Sequence, residues 1–148
     1  MNQLNYHGYH FYQERTSTNS IFIMNQSCIE ELSPNSKNCY IVSITSPGSI
    51  AEINDSPHLL RVSFFDSEEG ENSVHPGISQ EQAANIADFI KTVPVDKDIF
   101  IHCEAGKSRS AGVAAAIIQY QKKDPKDVFN QLTPSMRCYT NVLKALLN

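Results

Sequence analysis

Between residues 101 and 112 the chain reads IHCEAGKSRSAG, which brings a cysteine, a glycine and an arginine together within seven residues, Cys103 to Arg109. The apolar run IFIHC precedes this stretch and a run of small apolar residues, AGVAAAII, follows it. That pattern predicts a strand feeding a tight loop and then a helix. Amides at a helix N-terminus have no intrahelical partner, and the helix dipole is positive there. A loop in that place binds a tetrahedral oxyanion. Gly106 lets the loop curl, because it accepts positive φ without a Cβ clash. Arg109 adds a planar, permanently charged fork that can hold two oxygens of a phosphate. Cys103 then lies at the floor of the cradle, where the amides and the guanidinium favour thiolate over thiol. The chemistry predicted from these residues is a nucleophile beneath a bound phosphate.

The nine residues His102, Cys103, Glu104, Ala105, Gly106, Lys107, Ser108, Arg109 and Ser110 resemble the protein tyrosine phosphatase signature, in which His-Cys is followed, after five intervening residues, by Arg and a hydroxyl residue. Gly112, beyond the arginine, agrees with the looser preferences of that family. With RVSFFD, an acidic loop and SQEQAANIADFI upstream, the chain looks like the small bacterial and phage relatives of dual-specificity phosphatases. The resemblance covers roughly residues 39 to 148. The loop lies late in the chain, which separates it from the low-molecular-weight tyrosine phosphatases.

The resemblance implies two-step hydrolysis of a phosphate monoester through a phosphocysteine, with no metal and no cofactor. It implies that the amides of residues 104 to 109 and the Arg109 side chain bind the phosphoryl oxygens. It also implies a general acid, because an unprotonated leaving oxygen leaves poorly. In the family this is an Asp on a mobile loop thirty to forty residues before the Cys. Asp66, thirty-seven residues before Cys103, fits; Glu68, Glu69, Glu71 and Asp55 are its rivals. Ser110 matches the hydroxyl that helps the thiolate depart, and His102 the residue that orders the loop. The residue that positions the hydrolytic water stays open: relatives carry Pro-Asn where this chain has Pro134-Ser135, and Asn141 and Gln131 are candidates.

Glu104 stands where phosphoinositide phosphatases of this family carry Lys, and a carboxylate there repels a polyphosphorylated headgroup. Lys107 points the other way, because some of those enzymes carry Lys at that place. Phosphotyrosine on protein is therefore favoured over a phosphoinositide. A dual-specificity enzyme, a small phosphomonoester substrate, or a non-catalytic phosphotyrosine-binding module are the alternatives.

These residues need elements to hold them. SIFIMN (20–25), CYIVSIT (39–45), HLLRVSFFD (58–66) and IFIHC (99–103) read as strands. QSCIEEL reads as a short helix, and SPNSKN (33–38) as a turn cluster. SEEGENSVHPGIS (67–79) is an acidic loop of a length that often carries function. Ser79 and Gln82 form a capping-box signature at the start of QEQAANIADFIK, whose Ala83, Ile86, Ala87 and Ile90 make a buried stripe. SRSAGVAAAIIQYQ is apolar nearly all round and predicts a central helix. Asp124 and Pro125 open PKDVFNQL as N-cap and first-turn proline; TPSMR is a break, and CYTNVLKALL closes the chain as a helix. The order predicts a single α/β domain with a central, mostly parallel sheet flanked by helices. Residues 1 to 19 read as an edge strand or a loose lead-in, with Tyr6, Tyr9, Phe11 and Tyr12 covering the core or lining a site.

The bulk composition bounds the function. The 148 residues suffice for one ordinary domain, and with 41% apolar and 19% charged residues the chain reads as soluble and globular. A net charge of −4 and the lack of a basic stripe argue against nucleic acid, including an RNA 5′ end, and against anionic lipid as partner. The longest small apolar run is too short to span a membrane, and no signal peptide is visible. Cys28, Cys39, Cys103 and Cys138 follow no disulfide or zinc spacing, so reduced thiols and a cytoplasmic protein are expected. His7 and His10 lie in polar, unperiodic sequence and suggest no metal site. One of the three further cysteines could resolve an oxidised Cys103 as a disulfide, although core thiols are the simpler reading. The sequence leaves the oligomeric state open.

Overall fold

The computed structural model describes residues 3–6, 9–32 and 38–148, with side chains from residue 11 onward. His7 and residues 33–37 of the turn cluster lie outside the described residues, as do the side chains of Tyr6, Tyr9 and His10.

Among the described residues the chain forms six strands and five helices. These are β1 (Gln3–Tyr6), β2 (Tyr9–Arg15), β3 (Ser20–Asn25), α1 (Gln26–Leu32), β4 (Cys39–Thr45), β5 (Leu59–Ser63), α2 (Gln80–Lys91), β6 (Asp98–Cys103), α3 (Arg109–Tyr120), α4 (Lys126–Gln131) and α5 (Met136–Leu147). One sheet runs in the order β1-β2-β3-β6-β4-β5. The pairs β3–β6, β6–β4 and β4–β5 are parallel, and β1 and β2 add antiparallel strands at one edge. The sheet is thus mostly parallel, as the strand and helix order predicts.

Parallel strands are buried on both faces and read as nearly continuous apolar runs. In β4 every residue except Tyr40 is buried. On one face, Ile21, Ile23, Val42, Ile44, Ile99 and Ile101 pack with residues of α2, α3, α4 and α5 into the main core. On the other, Met24 joins Cys28 and Ile29 of α1, with Phe11, Phe22 and Phe100 packed against them. The central helix is α3, whose residues from Arg109 to Ile118 are all buried. Small residues let it sit close to its neighbours: a Cβ on Gly112 would lie 2.4 Å from the Ser135 carbonyl oxygen and 2.8 Å from Cys138 Cβ. The capping box at α2 forms, with the Ser79 side chain accepting from the Gln82 amide and the Gln82 side chain accepting from that of Ser79.

Besides one-residue shifts in β6 and α3, four boundaries differ from the sequence reading. The N-terminal stretch, read as edge strand or loose lead-in, pairs as β1 and β2 and buries Tyr12 at 2% exposure. β5 ends at Ser63, three residues before Asp66. The Phe64 amide still bonds the Thr45 carbonyl at 3.0 Å, but that of Phe65 turns to the Pro76 carbonyl at 3.1 Å, so the apolar FF pair marks burial and not strand. α4 starts at Lys126 with Pro125 as its cap residue, although Asp124 still accepts from the Lys126 amide at 3.0 Å. α5 starts two residues early, at Met136, because Ser135 caps it by accepting from the Cys138 amide.

Candidate active site

Four parallel strands point their C-terminal ends the same way, and the loop 104–108 leaves the end of β6 among them. Gly106 has φ +70°, and a Cβ there would lie 2.6 Å from the Asn25 nitrogen and the Met24 carbonyl carbon. Glycine thus serves twice: it turns the loop, and it lets the loop press against the end of β3. The turn aims the Gly106 amide at Cys103 Sγ, 3.3 Å away, and Ser110 Oγ lies 3.0 Å from the same sulfur. Cys103 is buried at 2% exposure, facing the N-terminal turn of α3.

Arg109 is 5% exposed, and its guanidinium is held by one nitrogen. Nη1 donates to the Phe64 carbonyl at 2.8 Å and to Ser46 Oγ at 3.1 Å. Nη2 lies 3.5 Å from the Glu104 carboxylate. Nε is buried and has no partner. A buried guanidinium N–H without an acceptor is costly, and it marks where an anion would be received.

The loop is fastened on three sides. The Gln26 amide, at the start of α1, donates to the Glu104 carbonyl at 3.2 Å. On the connection between α4 and α5, the Thr133 and Ser135 amides donate to the Lys107 and Ser108 carbonyls at 3.1 and 2.9 Å. The third fastening is Ser108 Oγ donating to the Asp66 carboxylate at 2.7 Å, across 42 residues of sequence.

Asp66 and the phosphate-binding loop predicted from the sequence therefore meet. The rivals of Asp66 have other partners or places. Glu68 accepts from the Met136 and Arg137 amides and from the Ser135 hydroxyl, capping α5. Glu69 accepts from the Ser73 hydroxyl, Asp55 pairs with Arg61 at 3.0 Å, and Glu71 lines a cleft beside the loop. Crossing hydrogen bonds close the base of the acidic loop: the Phe65 amide to the Pro76 carbonyl, and that of Gly77 to the Glu69 carbonyl. Gly77 permits this closure, since a Cβ there would lie 2.0 Å from the Ser67 carbonyl oxygen.

The sheet and the helices that cover it superpose as a whole on three solved structures. PTPMT1 in complex with PI(5)P superposes with a TM-score of 0.52 at 16% identity, covering 91% of this chain and 94% of that one. Tk-PTP in the active form gives 0.52 at 18% identity, over 88% and 92%. The Trypanosoma cruzi protein tyrosine phosphatase TcPTP1 gives 0.56 at 11%, over 94% and 72%. This is the protein tyrosine phosphatase fold. No family model matches the chain, and no curated protein matches it.

Within the tyrosine phosphatase fold, this chain has electrostatic features of its own. His102, fully buried behind the loop, has its pKa lowered to about 4 by burial. Its Nε2 lies 2.6 Å from Ser43 Oγ and its Nδ1 3.2 Å from the Cys103 carbonyl oxygen. A neutral ring that donates from Nδ1 and accepts at Nε2 satisfies both. Glu104 is held below the usual carboxylate range, first by the hydrogen bond from Ser46 and further by Arg109 nearby. Burial raises the other thiols: Cys138 to about 12, Cys39 to about 11, and Cys28 upward. Such thiols are poor nucleophiles, which fits core packing.

Sequence reasoning missed Ser43 and Ser46, and it named Glu68 only as a rival acid and not as the cap of α5. Each is a single polar residue far from the motif, and only strand register or loop closure brings it to the site. Of the N-terminal aromatics, Phe11 and Tyr12 do line a small cleft, about 130 Å³, against Ala105, Gly106 and Lys107. Asn141 lies inside α5, more than a turn beyond the end that meets the loop, and Gln131 closes α4. Among the described residues, no helix is long and apolar enough to cross a membrane.

Proposed function

We propose that the chain is a phosphatase that hydrolyses phosphate monoesters, with phosphotyrosine on protein as the favoured substrate, through a phosphocysteine. The observation that carries this reading is the Asp66–Ser108 hydrogen bond. It holds a carboxylate at the rim of a loop whose floor is a cysteine and whose wall is a buried arginine.

In the first step Cys103 Sγ attacks phosphorus. The S–P bond forms, the P–O bond to the leaving group breaks, and Asp66 delivers its proton to the departing oxygen. The loop amides and the Nε and Nη2 hydrogens of Arg109 hold the remaining oxygens, a preorganised electrostatic site. In the second step water attacks phosphorus, Asp66 takes the water's proton, and the S–P bond breaks. Ser110, 3.0 Å from the sulfur, donates to the leaving thiolate. His102 and Ser43 support the loop from behind. Four free cysteines are consistent with a reducing compartment such as the cytoplasm.

The test is phosphate release, with EDTA present, from a phosphotyrosine peptide, a phosphoserine peptide and a soluble phosphoinositide. Release from phosphotyrosine that vanishes in Cys103→Ser is expected. Asp66→Asn should lower kcat by about 10²- to 10⁴-fold with KM little changed. A Cys103→Ser protein with full activity would overturn the reading. Faster release from the phosphoinositide would favour that substrate class, for which PTPMT1, solved with PI(5)P, is the structural precedent. Binding of phosphopeptide without release would make the chain a binding module.

A further inference from the structure

Asp66 stands on the 64–79 connection between β5 and α2, and the first turn of α5 grips that connection at two places. Near its start, Glu68 accepts from the Met136 and Arg137 amides. At its close, Ile78 is fully buried and directly precedes Ser79, the N-cap of α2. The Arg137 Nε donates to the Ile78 carbonyl at 2.8 Å. Arg137 thus meets both ends of the acidic loop, with its backbone at Glu68 and its side chain at Ile78. Between these points the side chain lies against the loop backbone. A Cβ on Gly77 would lie 3.0 Å from Arg137 Cδ, and one on Gly70 would lie 3.8 and 3.9 Å from the two Nη atoms. The two glycines leave the room that the arginine fills. Charge supports the same arrangement. Residues 66–79 carry Asp66, Glu68, Glu69 and Glu71 and no Lys or Arg. Such carboxylates repel one another. Arg137 brings a permanent cation to the loop from α5.

We propose that Arg137 is a positioning residue for proton transfer: its side chain, seated against Gly70 and Gly77 and bonded to the Ile78 carbonyl, holds the acidic loop so that the Asp66 carboxyl stands over the cradle. The inference rests on the phosphatase reading, in which Asp66 is the acid. Ser108 tethers the Asp66 carboxylate itself by one hydrogen bond, and Arg137 fixes the segment that carries it. Arg137 therefore acts through Asp66 and not on the phosphoryl group. A carboxyl displaced by about an ångström loses its alignment with the leaving oxygen, and misplacement of that size can cost about 10²-fold in rate.

The experiment compares wild type, Arg137→Met, Arg137→Lys, Asp66→Asn and the double variant Asp66→Asn/Arg137→Met. Methionine keeps an unbranched stem and removes the donors, whereas lysine keeps one cationic donor. The measurement is kcat/KM for phenyl, p-nitrophenyl and 2,4-dinitrophenyl phosphate, whose leaving oxygens need the proton progressively less. Arg137→Met should lower kcat/KM for phenyl phosphate by about tenfold to 10²-fold and leave the dinitrophenyl ester little changed. Arg137→Lys should show the same dependence on the leaving group at smaller size, so the test holds even where the methionine variant does not fold. In the Asp66→Asn background the Arg137→Met step should cost nothing further, because the two residues act as a unit. Alkylation of Cys103 by iodoacetate should keep the wild-type rate. Equal losses for all three esters, losses that multiply in the double variant, or slowed alkylation would overturn the proposal, because Arg137 would then support the fold as a whole. Unchanged kinetics in both Arg137 variants would overturn it too. If the wild type releases no phosphate, or Asp66→Asn keeps full kcat/KM for phenyl phosphate, the phosphatase reading or its acid has failed; an impaired Asp66→Asn beside an unimpaired Arg137→Met fails only this inference.

Discussion

Ser110 shows how much one hydroxyl is asked to do. Its Oγ sits 3.0 Å from Cys103 Sγ, and the Gly106 amide also points at the sulfur, from 3.3 Å. In the proposed mechanism the sulfur must be nucleophilic during attack, and strong donors blunt that. In the hydrolysis of the proposed phosphocysteine the same donors would stabilise the departing thiolate. A donor on the helix, fully buried, serves the second step more than the first, because charge returns to the sulfur only then. Ser110→Ala should therefore slow the second step selectively. With p-nitrophenyl phosphate, rapid mixing should give a burst of nitrophenol approaching one equivalent, then a steady rate reduced by about tenfold or more, the size expected of a lost transition-state donor. A variant that loses rate without a burst would assign Ser110 to the first step instead.

At the scale of elements, the site is a meeting of segment ends. The C-terminal ends of β3 and β6, the N-terminal ends of α1, α3 and α5, and the acidic loop all converge on residues 103–109. Glu68 is the joint between the acidic loop and α5: its carboxylate accepts from the Met136 and Arg137 amides, which would otherwise be unpaired at the helix start, and from Ser135. Asp66 stands two residues away, so on the proposed reading the helix fixes the acid through Glu68. Glu68→Ala should lower kcat several-fold with KM little altered, while the rate of Cys103 alkylation by iodoacetate stays the same. Equal loss of alkylation would mean that the cysteine loop itself had shifted. Elements whose local signal agrees with their packing were legible in the sequence: β3, β4 and α2 have the bounds their periodicity and capping predict. The sequence pattern extends β5 too far because Phe64 and Phe65 look like strand residues, yet in the turning chain Phe64 is apolar for burial and Phe65 is only half-buried. The sequence leaves the β1–β2 hairpin open because its partners are distant: Glu14 is buried against Lys123, which also reaches the Arg15 carbonyl at 2.6 Å, and no local pattern foretells that pairing. In the site, the contiguous cradle from Cys103 to Arg109 is visible as a unit, whereas Ser43 meets His102 only through the β4–β6 register and Ser46 reaches Glu104 and Arg109 from just past the end of β4.

At the scale of the whole molecule, the sheet buries a titratable group whose neutral form the fold favours. His102 sits with Ser43 between β4 and β6, and burial lowers its pKa to about 4 against an ordinary value of 6.5. The unfolded chain therefore binds a proton between about pH 6.5 and pH 4 that the folded chain does not. Stability from this group is fully present above pH 6.5 and is lost as pH falls toward 4, where the slope ends because both states are protonated. The shift corresponds to about 3 kcal/mol over that window, a large share of the stability of a domain this size. Denaturant unfolding measured from pH 7.5 to 4 should show the midpoint falling chiefly below pH 6.5, with m little changed. His102→Gln should be less stable at pH 7.5, since it disturbs the bonds to Ser43 and to the Cys103 carbonyl, yet its midpoint should fall less over the acid range. Parallel curves for wild type and variant would show that the acid sensitivity comes from the carboxylates. Divergent curves would tie the stability of the fold to the neutral imidazole directly behind the cysteine loop.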